Sequence, residues 1–424
     1  MTLSGLTKNS LWMILSRFGV QGLSVLFTVY LARQLGNAGF GEYAFITSLI
    51  FVFNALTTFG TDMLLIREIA ADDDLSRLPP VLIIQLVLSG IFVAVIWVIA
   101  GRLPNQGFEA VTALRIYILA LIPLAFYTVF TIVLRGKQRL DLYTHLNLAV
   151  SFLQLSTILF FMKIRINIIT LSVLLLCIQV ISALLAGMLT SRIVPGFWKM
   201  WKFHSGDLPP LLKAAAPIAL LTLLGMLYQK LTITMLSLMN GPVETGLFSA
   251  AARAVEASKG IHMAVFVALY PAMAQGTSER SMAGNVPAAV EIKYFKALLI
   301  GAVLASLVLT FFAAPLVRIL YGVDFLLSVQ ILQILAWTLL PFTINGFLSL
   351  SLMASHQERA IGLVMTVCLL VLVVLNLWWI PSNGLQGAAA AFLATECIQA
   401  GILLGFWQPR HSKLKETHEL SQSS

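Results

Sequence analysis

The stretch GLFSAAARAVEASKGIHMAVF, Gly246–Phe266, is long enough to cross a bilayer as one helix, and most of it is apolar or small. Yet Arg253, Glu256 and Lys259 stand in it at intervals of three. A charge near the middle of a bilayer costs about 2.5–3.5 kcal/mol even on a lenient insertion scale. Whether this stretch is a membrane span, and why it would then carry three charges, is decided by the rest of the chain.

The chain has 424 residues, of which 59% are hydrophobic and 11% charged. Soluble domains carry about 25% charged residues, so a soluble fold is excluded. Apolar runs of about 20 residues, the length that crosses ~30 Å of hydrocarbon, recur almost without interruption. Twelve are expected: 10–32, 38–61, 79–101, 112–134, 142–163, 167–191, 211–238, 244–268, 294–316, 326–353, 361–381 and 385–407. They leave no room for an extramembrane domain, and the expected fold class is an all-α polytopic membrane protein. The first run is long and lacks a small-residue cleavage site, so it reads as a retained span rather than a signal peptide.

Site chemistry of the usual enzymatic kinds finds little support. Cys177, Cys368 and Cys397 all fall in expected spans and are odd in number, which fits small buried residues better than disulfides or metal ligands. The six histidines lack ligand spacing. Neither a metal nor a cofactor is expected. With no nucleophile-elbow, phosphate-loop or zinc-protease pattern, hydrolysis and nucleotide use are not supported either, and the chain does not read as an enzyme.

The formal net charge of +9 would suggest nucleic acid in a soluble protein. Its distribution says otherwise. With twelve spans and an inside N-terminus, 17 cations fall on the inside and 6 on the outside, among them Arg33, Arg102 and Arg318. That bias places both termini in the cytoplasm. Four cations remain, Arg17, Lys230, Arg253 and Lys259, and all lie inside spans.

An internal repeat runs through the chain. ILALIP (118–123) matches ILAWTLLP (334–341), GKQR (136–139) matches SHQER (355–359), and CIQVISALLAG (177–187) matches CIQAGILLG (397–405). The offset is about half the chain, which predicts two six-helix lobes, 1–205 and 206–424, joined by the Trp198–Pro210 linker. Six is even, so the repeat is parallel, an arrangement that puts a polar site near the membrane midplane. The linker's aromatics and cations suit a helix lying on the cytoplasmic surface.

Polar residues form stripes at helical spacing. Arg17, Gln21, Ser24 and Thr28 share one face of the first span. Asn54, Thr58 and Asp62 do so in the second, Lys230, Thr234 and Ser237 in the seventh, and Ser249, Arg253 and Glu256 in the eighth. Serine and threonine in such stripes are interhelical polar glue, contributing ~0.6 kcal/mol per contact. Full charges are not needed for glue, so Arg17, Lys230, Arg253 and Lys259 are expected to face a hydrated cavity. Glu256, one turn from both Arg253 and Lys259, partly neutralises either. The excess leaves about three positive charges in all, a field that attracts anions such as phosphate. The acidic run Asp72–Asp74 reads as a solvated loop.

At this point the residues resemble a known family. YLARQLGNAGFGEYAFITSLI (30–50) and FGTDMLLIREIA (59–70) are similar to the opening of polysaccharide-biosynthesis flippases, within the multidrug/oligosaccharidyl-lipid/polysaccharide exporters. GPVETGLFSAAARAVE (241–256), LYPAMAQ (269–275), YGVDF (321–325) and LNLWWIPSNGLQGAAAAFLATE (375–396) extend the likeness over about residues 8–400. The resemblance implies two six-helix bundles around a V-shaped central cavity and alternating access. It also implies transport of undecaprenyl-diphosphate-linked oligosaccharides across the bacterial inner membrane, the lipid tail staying among membrane lipids. Such flippases serve O-antigen (lipopolysaccharide) or exopolysaccharide assembly, alongside a polymerase and a chain-length regulator. The substrate-binding candidates are then Arg17, Lys230, Arg253, Lys259, Gln21 and Asn54. Glu256, Asp62 and Glu396 are left to carry a coupling proton or sodium ion, or to balance charge.

The chain departs from the family pattern at Thr232, in YQKLTITML (228–236), where many relatives carry an aspartate. Two other classes stay open. A multidrug antiporter of the same superfamily would favour intramembrane acids for its cationic substrates. A membrane-embedded glycan polymerase or glycosyltransferase would need a large outside loop, and the outside loops here are short.

Overall fold

A computed structural model describes residues 3–161, 166–195, 197, 208–279, 287–354 and 357–422. Side chains are described over 19–161, 166–195, 197, 208–260, 262, 263, 266, 295–353, 357 and 359–405. The described chain is helical, with no strand. Helices are the expected solution where no water is present to satisfy a backbone that does not bond within its own segment.

The first compact unit is Met1–Gly246. It holds α1 (Leu3–Thr58), α2 (Thr61–Asp72), α3 (Leu78–Ile99), α4 (Phe108–Tyr117), α5 (Leu121–Gly136), α6 (Leu140–Phe160), α7 (Ile168–Ile193) and α8 (Leu208–Asn240). Its core gathers Leu65 and Ile69 from α2, Val81 and Leu82 from α3, and Val129, Phe130 and Val133 from α5. The second unit, Leu247–Ser424, holds nearly all of α9 (Pro242–Glu279). With it go α10 (Pro287–Phe311), α11 (Ala313–Leu320), α12 (Ser328–Ala336), α13 (Leu339–Ala354) and α14 (Glu358–Gln422).

Large apolar side chains also cover the outside: Trp97, Phe152, Phe160, Leu184 and Trp378 are all exposed. A soluble surface does not carry apolar cover on this scale, whereas lipid accepts it. Eight helices are long and apolar enough to span a membrane. They become twelve spans among the described residues once α1, broken at Gly36, and α14, broken at Gly384, each count twice, and the bent α10–α11 pair and the charged α9 are added. Twelve is the number the hydropathy pattern predicts.

The repeat has a structural counterpart. In the first unit the span formed by α4 and α5 is interrupted by a 3-10 turn at Ile118–Ala120. In the second, the span formed by α12 and α13 is interrupted between Ala336 and Leu339. The matching segments ILALIP and ILAWTLLP cover these two interruptions, and Pro123 and Pro341 stand in the first turn of the helix that restarts. Each break is bonded by a fully buried serine from the preceding span: Ser89 donates to the Leu121 carbonyl (3.2 Å) and Ser306 to the Ala336 carbonyl (2.8 Å).

A second correspondence joins the helices that begin after Gly36 and Gly241. Both glycines have left-handed φ, 68° and 90°, a conformation in which a Cβ would be strained. Five residues further on, Gly41 and Gly246 lie where these two stretches of the first unit touch. A Cβ on Gly41 would overlap the Pro242 carbonyl, and one on Gly246 the Asn37 carbonyl.

By packing, the chain divides at Gly246 and Leu247, later than the 205/206 boundary that the repeat suggests. The cause is α8, which packs along α1 and α2. Asn105, before α4, also donates to the Leu238 and Met239 carbonyls, and Gln106 to that of Ser237. The Leu238 and Met239 carbonyls are among those that a helix end leaves without an internal partner. The Trp198–Pro210 linker lies outside the described residues up to α8. The acidic run is exposed, as expected of a solvated segment, and is held locally: Asp73 pairs with Lys137, and Asp74 accepts from the amide and hydroxyl of Ser76. Those Ser76 bonds, the amide first, hold the Asp74 carboxyl below its ordinary pKa.

Candidate functional site

In the first unit, α8 carries Lys230, half-buried, with its Nζ 5.5 Å from the centre of the Phe51 ring on α1. Thr234, one turn further along α8, returns its hydroxyl to the Lys230 carbonyl, and Thr232 is buried. Asn54 lies one turn beyond Phe51, and its Oδ1 is buried with no hydrogen-bond partner. A buried amide oxygen without a donor is costly, which makes Asn54 and its surroundings polar in need. Gln21 is exposed, and the side chain of Arg17 lies outside the described residues.

The expected Asn54–Thr58–Asp62 stripe does not survive. Phe59 and Gly60 both have left-handed φ, 46° and 67°, and end the helix between Thr58 and Asp62. Asp62 therefore sits in the first turn of α2, where its charge complements the positive helix end. The interruption coincides with the close approach of α8, whose Ala219 backbone faces Gly60. Thr58 and Thr28 spend their hydroxyls on their own helix, on the Ala55 and Ser24 carbonyls.

The second unit holds the opening triplet. Arg253 Nη1 lies 3.4 Å from Glu256 Oε2, both side chains about a third exposed or more. Lys259 turns elsewhere. Its Nζ lies 3.5 Å from Glu396 Oε1 on α14, with side chains 16% and 5% exposed. The same ammonium stands 4.6 Å from the Phe342 ring and 5.1 Å from that of Phe392. Glu396 Oε2 accepts from Asn345 Nδ2 (2.9 Å), which also donates to the Glu396 carbonyl (3.1 Å). The expectation that the α9 triplet leaves one positive charge over is thereby corrected. Glu256 serves Arg253, while Lys259 is neutralised from α14. Two rings and a carboxylate replace the ammonium's water.

Asn345, Phe342 and Phe392 were not among the residues marked by the stripes. Asn345 is the lone amide within α13, LLPFTINGFLSLSLMA (339–354), and that isolation was the available signal. The rings gave none, since phenylalanine is common in every span.

Broken helices with matching serine bonds, an apolar exterior and ionised side chains within spans define a multi-pass helical membrane protein. The fold agrees with solved structures. An inward-facing multidrug resistance MATE family transporter of the MOP superfamily matches with a TM-score of 0.75 at 15% identity, covering 94% of this chain and 95% of that one. The Lipid II flippase MurJ, in an inward closed conformation, matches with a TM-score of 0.75 at 16% identity, covering 95% and 87%. A MOP superfamily transporter from Pyrococcus furiosus, described by the reverse polarity of its binding pocket, matches at 0.67 and 14%, covering 97% and 96%. The chain belongs to the polysaccharide biosynthesis protein family, whose model it matches over residues 6–277. No curated protein matches it.

Proposed function

We propose that the protein is a flippase carrying undecaprenyl-diphosphate-linked oligosaccharide repeat units across the bacterial cytoplasmic membrane, for O-antigen or exopolysaccharide assembly. The observation that carries this is the pair of intramembrane cations Lys230 and Arg253. The Lys230 ammonium stands 5.5 Å from the centre of the Phe51 ring, and Arg253 Nη1 lies 3.4 Å from Glu256 Oε2 with its side chain about a third exposed. A guanidinium can grip a diphosphate in two places, and such cations suit an anionic head group better than a lipophilic cation. Membership of the polysaccharide biosynthesis family and the likeness to a protein named as a lipid II flippase support the same substrate class.

In this reading transport proceeds by alternating access through a cationic cavity. The repeat sets the moving lobes at 1–205 and 206–424, with both termini cytoplasmic by the charge bias. Arg17, Lys230, Arg253 and Lys259 meet the phosphates, and Gln21 and Asn54 offer amides to sugar. A polymerase and a chain-length regulator would use the product. Proton or sodium coupling falls to Glu256, Asp62 or Glu396.

Deleting the protein tests this. Undecaprenyl-linked repeat units are expected to accumulate on the cytoplasmic face while surface polymer disappears. Purified protein in liposomes is expected to move a fluorescent lipid-diphosphate oligosaccharide. Normal surface glycan in the deletion, with heightened sensitivity to lipophilic cations, would instead establish the drug-antiporter alternative.

A further inference from the structure

The buried pair in the second unit has an uneven geometry. Charge-assisted N–H···O contacts are ordinarily 2.7–2.9 Å. Asn345 meets Glu396 Oε2 at 2.9 Å, whereas Lys259 meets Oε1 only at 3.5 Å. The carboxylate is therefore anchored by the amide and the ammonium is held loosely, largely between two rings. Asn345 Oδ1 is itself buried and accepts no hydrogen bond, so the site keeps one unmet acceptor beside the pair. Lys259 can change partner while Glu396 keeps its anchor.

We infer that Lys259 is shared between Glu396 and an anionic head group, and that a proton on Glu396 decides which of them holds it. The inference rests on the reading of the substrate as a phosphate-bearing lipid. When a phosphate oxygen takes the ammonium, Glu396 is left as a carboxylate in an apolar, largely closed place. An unpaired buried carboxylate neutralises by binding a proton. One proton therefore enters, from water to a Glu396 oxygen, as the phosphate engages Lys259, and it leaves when the phosphate does. Linkage is reciprocal: lower pH strengthens binding of the anion, and the anion strengthens binding of the proton.

The other groups around Glu396 do not offer a rival exchange. On α14, Cys368 is buried and Cys397 exposed, and thiols are neutral groups at ordinary pH. α13 contributes Asn345 and Phe342, and α12 carries no titratable residue. On α9, Arg253 and Glu256 pair with each other, and His262, one turn past Lys259, places Nδ1 against the Ser258 carbonyl.

The test measures binding of undecaprenyl diphosphate, with undecaprenol as the uncharged control, to the purified full chain across about pH 5 to 8. The diphosphate's own ionisation strengthens its binding as pH rises, so the informative quantity is wild type relative to Glu396→Gln. That ratio is expected to change about tenfold across the range, wild type weakening against the variant as pH rises. Glu396→Gln itself keeps high affinity, since Lys259 is permanently released. Lys259→Gln binds the diphosphate more weakly, and its pH profile parallels that of Glu396→Gln. It stands in if Glu396→Gln fails to fold. A wild-type profile parallel to that of either variant overturns the exchange while leaving the substrate reading intact. If wild type fails to prefer undecaprenyl diphosphate over undecaprenol at every pH, the substrate reading itself falls, and the exchange falls with it.

Discussion

Two ion pairs on the same helix face different physics. Arg253 and Glu256 are three residues apart on α9, meet at 3.4 Å and remain about a third exposed or more. Lys259 and Glu396 are joined from different helices at 3.5 Å and are largely enclosed. The first is a local contact that any helix with this spacing could make, and its energy is small because exposed pairs gain little. The second exists only because α9, α13 and α14 come together, and each charge depends on the other because little water reaches them. Similar residue types thus make a part-exposed contact along one helix in one place and an enclosed contact between two helices in the other.

The sharpest way to break this contrast is to remove one member of the enclosed pair. Glu396→Ala is expected to lower stability by about 3–5 kcal/mol, because it strands the Lys259 ammonium. Thermal unfolding in detergent measures it. Glu396→Leu combined with Lys259→Met is expected to recover most of the loss, since apolar replacement of a buried pair is often neutral. If the single variant is as stable as wild type, the pair is not enclosed in the way described.

Arg253→Ala is expected to do the reverse. Its stability change lies within about 1 kcal/mol, yet export is abolished at unchanged protein level, and Arg253→Lys restores it only in part because the planar fork is lost. Full export by the alanine variant would reduce Arg253 to a structural partner of Glu256.

Salt gives the smallest and most discriminating difference. At ~1 M ionic strength the screening length falls to ~3 Å. The coupling energy of Arg253 with Glu256, taken from a double-mutant cycle, is expected to shrink by a few tenths of a kcal/mol. That of Lys259 with Glu396 is expected to hold. Equal salt sensitivity would place both pairs in the same environment.

Much of the architecture was legible along the chain. Apolar runs of span length announce membrane helices because the hydrocarbon thickness sets their length. The repeat was visible in three short matches, and one of them, ILALIP with ILAWTLLP, falls on the two corresponding helix breaks. The stripes were less reliable. Asn54, Thr58 and Asp62 have helical spacing, but left-handed residues at Phe59 and Gly60 take Asp62 onto another helix. Periodicity assumes an unbroken helix, and the close approach of another backbone removes that assumption.

The sequence by itself determined that the chain is a bundle of membrane helices, that it is built as a repeat, and that α9 brings cations into the bilayer. Those properties are sums over neighbouring residues, and neighbours are what a sequence lists. Which carboxylate answers Lys259 was decided only by the tertiary structure. Glu256 is three residues away along the chain, whereas Glu396 is brought to it across α9 and α14 and is anchored there by Asn345. Spacing along one helix cannot rank those two acids. Burial can, because an ammonium shut away from water takes the partner that shares its enclosure.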